Sequence, residues 1–426
     1  MRKYSMNRIL YSLLLFIVLP FVPLKLWWRG LKQPAYKQHW RERFGSYNVA
    51  INKPVIWLHC VSIGETRAAE PLIKALQLHY AQHQILLTHT TPTGRDTSTQ
   101  LFGDSVMRVY LPYDLPFAVN GFIKHFQPKI GLLMETELWF NLIASCEQQG
   151  VPLLLLNARL SEKSAKGYSK LGRLITNGLQ SLSAIAAQTT DDATRLQLLG
   201  ARNVSISGNL KFDVKPPADS AALGLQLRHI LDGDSEQKKR TLFLAASTRE
   251  GEEALILDAV KGLDVLTIIV PRHPQRFNEV AALIESYGIV YQRRTSLIEP
   301  ISSATQVILG DSMNELFTYY AASDFTFIGG SLLKFGGQNL IEAASQGKPI
   351  LIGKYTFNFA DASKNAVRAG AAIRVKNTDE LRDGIVLLRD NLLKRQKMQQ
   401  AALRFSEAST GATLRVMKLI GEYLPV

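Results

Sequence analysis

The sequence predicts an α/β protein of two doubly wound domains, on three observations. Short apolar runs alternate with helical periodicity along most of the chain. The alternation stops once, at a polar Pro-containing stretch, and then resumes. The length, 426 residues with 46% hydrophobic content, exceeds what one core usually fills and supports two. The runs are continuous rather than alternating, as expected of parallel strands covered by helices on both faces.

The first element, residues 1–30, reads as a membrane anchor. An apolar run from Ile9 to Val22 is broken only by Ser12 and Pro20 and continues through Leu24, Leu26, Trp27 and Trp28. A small-x-small cleavage site is missing and Trp27-Trp28-Arg29 suits an interface, so retention is expected rather than removal as a signal peptide. The modest length and the prolines leave a single-pass helix and a monotopic interfacial helix both open. The formal charge is +14, but residues 1–45 carry nine Lys/Arg against Glu42, a net of +8. This local excess favours anionic lipids as partners and keeps the body on the cytoplasmic side. Nucleic acid is not expected as a partner, because no aromatic-basic interleaving marks a binding face.

Residues 31–213 form the first predicted domain, with strands in VIWLHC (55–60), ILLTHT (85–90), IGLLM (130–134), VPLLLLNA (151–158) and AIAAQ (184–188). The first run enters a Ser62-x-Gly64-Glu65 turn, with Gly64 permitting a sharp bend. Open α/β folds build their sites at such strand ends. A carboxylate in the first helical turn is favoured in its ionised form, so Glu65 is expected to be charged at neutral pH and able to act as a base. Glu135 and Glu137, in METELW, follow another buried strand on the same edge. Orienting an acceptor, handling a second proton and capping a helix are all open to them. Arg159, Lys163 and Lys166 lie after a third strand, where they suit either an anionic ligand or a solvated basic helix face.

Residues 214–240, with Pro216-Pro217 and DGDSEQKKR, read as the linker. Residues 241–426 form the second domain, with strands in TLFLAA (241–246), VLTIIV (265–270), QVILG (306–310), FTFIGG (325–330) and PILIG (349–353), and a last helix able to pack back on the first domain. Two such Rossmann-like domains make a cleft between two sets of strand ends, a layout suited to group transfer. Gly329, Gly330 and Ser331 lead to Gly336-Gly337-Gln338-Asn339 and a helix, where glycines permit close backbone approach and a helix start offers N–H groups to a phosphate. Asn339 and Glu342, three apart, share a helix face, and the carboxylate is suited to ribose hydroxyls. Arg272 ends a strand on a stiff Pro turn and is suited to pairing with a phosphate, against the alternative of a surface salt bridge.

Other signals are discounted. Asp232-Gly233-Asp234 sits in the polar linker, and His79 and His83 lack a third ligand, so no metal is expected. GxGxxG and the P-loop pattern are both missing, so nicotinamide and ATP chemistry lose support. Cys60 and Cys146 read as core residues of a protein without disulfides.

Nine segments in order, SIGE (62–65), METELW (134–139), NARLS (157–161), GNLKFD (208–213), ASTREGEE (246–253), PRHPQRF (271–277), GDSMNELF (310–317), FIGGSL (327–332) and GGQNLIEAA (336–344), resemble the 3-deoxy-D-manno-octulosonic acid (Kdo) transferase family. The resemblance implies a GT-B glycosyltransferase fold that moves Kdo from CMP-Kdo to a lipid A precursor (lipid IVA) in lipopolysaccharide biosynthesis. It further implies inversion, no cofactor, no metal bound in the protein, and a place on the cytoplasmic side of the inner membrane. It puts the catalytic base on Glu65 and a second essential acid on Glu135 or Glu137. It implies CMP contacts at Arg272, Met313, Gly329, Gly330, Ser331, Asn339 and Glu342, with Lys211 facing the cleft; Ser62, Gly64 and Arg159, from the strand-end reading, complete the candidate binding residues. The family usually has His where this chain has Gln338, Pro in place of Phe140 and His in place of Arg249. The two rival readings are another GT-B transferase, with a UDP-sugar and a lipid-linked acceptor, and a membrane-tethered nucleotide-binding protein without turnover.

Overall fold

The apolar runs become parallel strands, and short polar strands join them at the sheet edges. A computed structural model describes residues 7–213, 216–232, 240–297 and 301–425. The chain divides into two units, Met1–Asp213 with Thr410–Val426, and Val214–Ser409. The first unit holds β1 (Val55–His59), β2 (Gln84–His89), β3 (Met107–Tyr110), β4 (Ile130–Met134), β5 (Leu153–Ala158), β6 (Ala184–Ala187) and β7 (Val204–Ile206) in the order β3-β2-β1-β4-β5-β6-β7. β1, β4, β5 and β6 are buried along their whole length, which is why their sequences carry no polar alternation. Strand order reverses between β1 and β4, the position at which doubly wound sheets open a crevice at their carboxyl ends.

The second unit repeats the plan with β8 (Leu242–Thr248), β9 (Leu266–Pro271), β10 (Tyr291–Arg293), β11 (Val307–Leu309), β12 (Phe325–Ile328), β13 (Ile350–Ile352) and β14 (Ala372–Arg374). Their order is β10-β11-β9-β8-β12-β13-β14, reversing between β8 and β12. The stretch expected to be a linker, residues 214–240, is corrected in its middle. Ser220–Asp232 is a helix that buries Leu227 and Leu231, lays Gly224 against Ala321, and pairs Arg228 with Asp232 (2.9 Å) and Asp324 (3.0 Å). Gly233 and Asp234 of the discounted Asp-Gly-Asp motif lie outside the described residues.

The last helix, Ala412–Tyr423, belongs to the first unit. Ala412, Val416 and Ile420 enter the same buried cluster as Ile56, Leu58, Leu72 and Leu76. Asp213 caps the helix, accepting N–H bonds from Gly411 (2.6 Å), Ala412 (3.2 Å) and Thr413. Asp213→Ala is expected to cost about 1–2 kcal/mol. The reading is an earlier urea midpoint at unchanged slope, and an unmoved midpoint would mean that packing alone holds the helix.

Near the N-terminus, α1 (Arg8–Val18) and α2 (Phe21–Lys32) meet at an angle of 54°, around Pro20, which cannot donate a backbone hydrogen bond. Among the described residues no single helix is long and apolar enough to cross a membrane, although the bent pair passes that test together. One side of α1 is tied to the first unit: Tyr11 Oη donates to Asp114 (2.9 Å) and Ser12 Oγ to Asn141 (3.0 Å). Ile9, Leu13, Ile17, Phe21, Leu24 and Trp28 are exposed.

Candidate active site

Chemistry-bearing side chains gather at the carboxyl ends of the strands, one group in each unit. In the first, β1 runs through Cys60 and Val61 into the helix Ile63–His79, capped by Ser62. The Glu65 carboxylate accepts from Val61 N–H (2.8 Å) and Ser62 Oγ (2.9 Å), while Glu65 N–H reaches back to Ser62 Oγ (3.4 Å). This is a capping-box pattern closed over an acid that is only 7% exposed. Burial raises the Glu65 pKa to about 7 against the lowering effect of those two hydrogen bonds, and the charges of Glu135 and Glu137 push it further up. The expectation of a fully ionised Glu65 at neutral pH is therefore corrected: desolvation outweighs the helix start. Gly64 is corrected too, since it lies in the right-handed first helical turn, with Ser62 Oγ as the nearest neighbour of a would-be Cβ at 3.8 Å.

Glu135 follows β4 with φ +58°, a left-handed conformation that costs a non-glycine residue about 1–2 kcal/mol and concentrates at functional sites. Its N–H donates to Leu156 O (2.9 Å) and its carboxylate takes an ion pair from Lys211 Nζ (3.1 Å). Lys211 is aimed by a polar network. Asn157 Oδ1 accepts Leu210 N–H (3.0 Å), Gln188 Nε2 donates to Asn157 O (2.9 Å), and Asn209 bridges from Gln188 (2.9 Å) to Lys211 N–H (3.0 Å). Glu137 has a different environment: burial raises its pKa, and the charge of Glu135 raises it further. Arg159 is exposed, its carbonyl accepting from Thr136 Oγ1. Lys163 and Lys166 are exposed as well, and Lys166 pairs with Glu162 (2.7 Å), which matches a solvated helix face.

In the second unit, Gly329 passes so close to the Ser247 carbonyl that a Cβ would collide with it, and Gly330 adopts φ +67°. Gly337 and Gln338 return to this loop, their N–H groups donating to Gly330 O (2.6 Å) and Gly329 O (3.1 Å). Asn339 Nδ2 donates to Glu342 Oε1 (3.0 Å), so the two residues act as one polar pair. Burial raises the Glu342 pKa, opposed by Asn339 and by the nearby charge of Arg272. Arg272 follows β9, with its N–H on Thr248 O (3.0 Å). Met313 is exposed in the loop after β11.

Over 98% of its length the chain is 38% identical to the 3-deoxy-D-manno-octulosonic acid transferase of Bordetella pertussis, all of which the match covers. The chain belongs to the Kdo transferase family. The Kdo transferase of Haemophilus influenzae is 37% identical over 98% of this chain and 99% of its own, and the 3-deoxy-D-manno-octulosonic-acid transferase (kdotransferase) family model matches residues 38–214. A glycosyltransferase from Rickettsia africae superposes with a TM-score of 0.57 at 13% identity, covering 88% of this chain and all of that one. Acinetobacter baumannii MurG does so with a TM-score of 0.56 at 12% identity, over 87% of this chain and all of that one. These similarities show the fold, two Rossmann-like units of the GT-B plan.

Two details of the second unit bear on the expected CMP contacts. Ser331 is fully buried, its hydroxyl donating to Ile328 O and accepting Gly353 N–H (2.8 Å), so it pins the loop from inside. The helix after Asn339 spans only Ile341–Ser345, and Asn339 Oδ1 accepts its first N–H, from Ile341 (3.0 Å), so that donor is turned to the chain itself. The sequence reading also missed three site neighbours. Glu252 and Glu253 are fully buried at the end of β8, and Arg276 clamps Glu253 through Nη1 (2.6 Å) and Nη2 (3.1 Å). The available signal was their position, acids directly after a buried strand, as at Glu65.

Proposed function

We propose that this chain transfers Kdo from CMP-Kdo to the lipid A precursor lipid IVA in lipopolysaccharide biosynthesis, by a single inverting displacement. The observation that carries the reading is Glu65: a buried carboxylate at the end of β1 with a pKa near 7 is suited to general base catalysis at physiological pH. Glu65 takes the proton of the acceptor's primary hydroxyl as its oxygen bonds to the anomeric carbon of Kdo. The bond from that carbon to the phosphate oxygen breaks, and CMP leaves with the electron pair. Arg272 offsets charge on the departing phosphate, Asn339 and Glu342 hold the ribose, and no step is assigned to a metal. Lys211 neutralises Glu135 beside the acceptor.

Membrane association follows from the exposed apolar residues of α1 and α2 together with Lys25 and Arg29. The hydrogen bonds of Tyr11 and Ser12 to the first unit favour a monotopic, interfacial anchor on the cytoplasmic side of the inner membrane, in contact with anionic lipids.

Mass analysis of products from CMP-Kdo and a tetraacylated, bisphosphorylated diglucosamine tests the activity. A Kdo-bearing product supports it, and an unmodified acceptor with intact, folded enzyme rejects it. In a parallel thermal-unfolding measurement, CMP at about 100 times its dissociation constant should stabilise the protein by about 2.7 kcal/mol, whereas UDP should not. Glu342→Ala should weaken CMP binding by about tenfold, the value of one hydrogen bond to a charged group, and unchanged affinity would remove Glu342 from the ribose site.

A further inference from the structure

Glu252 opens the helix Glu252–Val260, yet it is fully buried and has no part in the steps above. Its Oε2 accepts Gly330 N–H (2.5 Å) and Arg249 N–H (3.0 Å), and its Oε1 accepts Leu332 N–H (2.9 Å). These donors come from the loops after β8 and β12, the two strands between which the sheet order reverses. One carboxylate therefore ties together both loops at the position where such sheets bind their ligands. It also turns the Gly330 and Leu332 N–H groups inward, away from any phosphate. Burial raises the Glu252 pKa, and the backbone donors oppose that shift.

We propose that Glu252 is the positioning residue of the donor site, its carboxylate holding the backbone from Gly330 to Leu332 in the shape that receives the nucleotide. The inference rests on the reading of the Gly329–Ser331 loop as part of the CMP site. In Glu252→Gln the volume and one acceptor remain, but in either amide orientation an NH2 group faces a backbone donor that then lies buried and unpaired. The donor KM of the full-length enzyme should rise by about tenfold or more. The acceptor KM should stay unchanged, and kcat at saturating CMP-Kdo should fall by less than about threefold, since no group touching the reacting atoms is altered. An unchanged donor KM, or equal shifts in donor KM, acceptor KM and kcat, overturns the proposal. If Glu252→Gln does not fold, Glu252→Asp with calorimetric titration of CMP decides: weaker CMP binding supports it and unchanged binding overturns it. Glu342→Ala, run in parallel, separates the two claims. Weakened CMP binding there without any change at Glu252 overturns this inference alone, and no change at either position overturns the nucleotide reading with it.

Discussion

Glu65→Gln is expected to lower kcat by about 10²–10⁴-fold, the usual range for loss of a general base, with CMP affinity unchanged. The amide keeps the volume, its oxygen still accepts the Val61 N–H, and its NH2 faces the Ser62 hydroxyl, which can rotate to accept, so the turn stays formed while proton acceptance is lost. The pH profile supplies an independent check. Burial raises the Glu65 pKa to about 7, so the base is progressively protonated as pH falls through that value. Wild-type kcat/KM should then drop by about tenfold per pH unit below it. Glu135→Gln removes a neighbouring negative charge and should move this limb to lower pH. A pH limb that stays in place in Glu65→Gln, or turnover within a few fold of wild type, assigns the base to another group.

Arg276→Ala is expected to be the most destabilising of the substitutions considered, at about 3–5 kcal/mol, because it leaves the Glu253 carboxylate buried without its bidentate partner. Among the described residues, Glu253 then keeps the Thr248 hydroxyl (2.7 Å) as its one remaining side-chain partner. For a domain of this size the loss corresponds to a fall in Tm of roughly 6–20 °C, measurable by calorimetry. Thr248 also holds the Arg272 N–H, so CMP protection should weaken in the same variant. A small change in Tm would mean that water reaches Glu253 and that the pair is dispensable.

The inner strands were legible because each buried strand announces itself as an unbroken apolar run. The edges were not. β3, β7, β10 and β14 are short and partly polar, as MRVY and YQR illustrate, since an edge strand needs less apolar cover. The helix Ser220–Asp232 was hidden by the prolines before it and the charged run after it, although its buried side is ordinary. At the candidate site, the location of Glu65 could be read from a strand followed by a turn. Its protonation could not, because burial and the distant acids Glu135 and Glu137 set it. Gln338 keeps a backbone place in the glycine loop through Gly329 O, so the departure from the family histidine leaves the loop closed. The inward role of Ser331 and the tie made by Glu252 depend on partners roughly 20 and 80 residues away, beyond the reach of any local pattern.

The helix Ala412–Tyr423 has a consequence for biosynthesis. The first unit is translated early, but the groove that takes Val416 and Ile420 stays uncovered until the whole of the second unit has been made. The nascent polypeptide thus carries a sticky apolar furrow through roughly the second half of its synthesis, the situation in which chaperones are recruited. Emergence of residues 410–425 closes the furrow last, which couples maturation of the acid-bearing unit to completion of the one that holds the glycine loop.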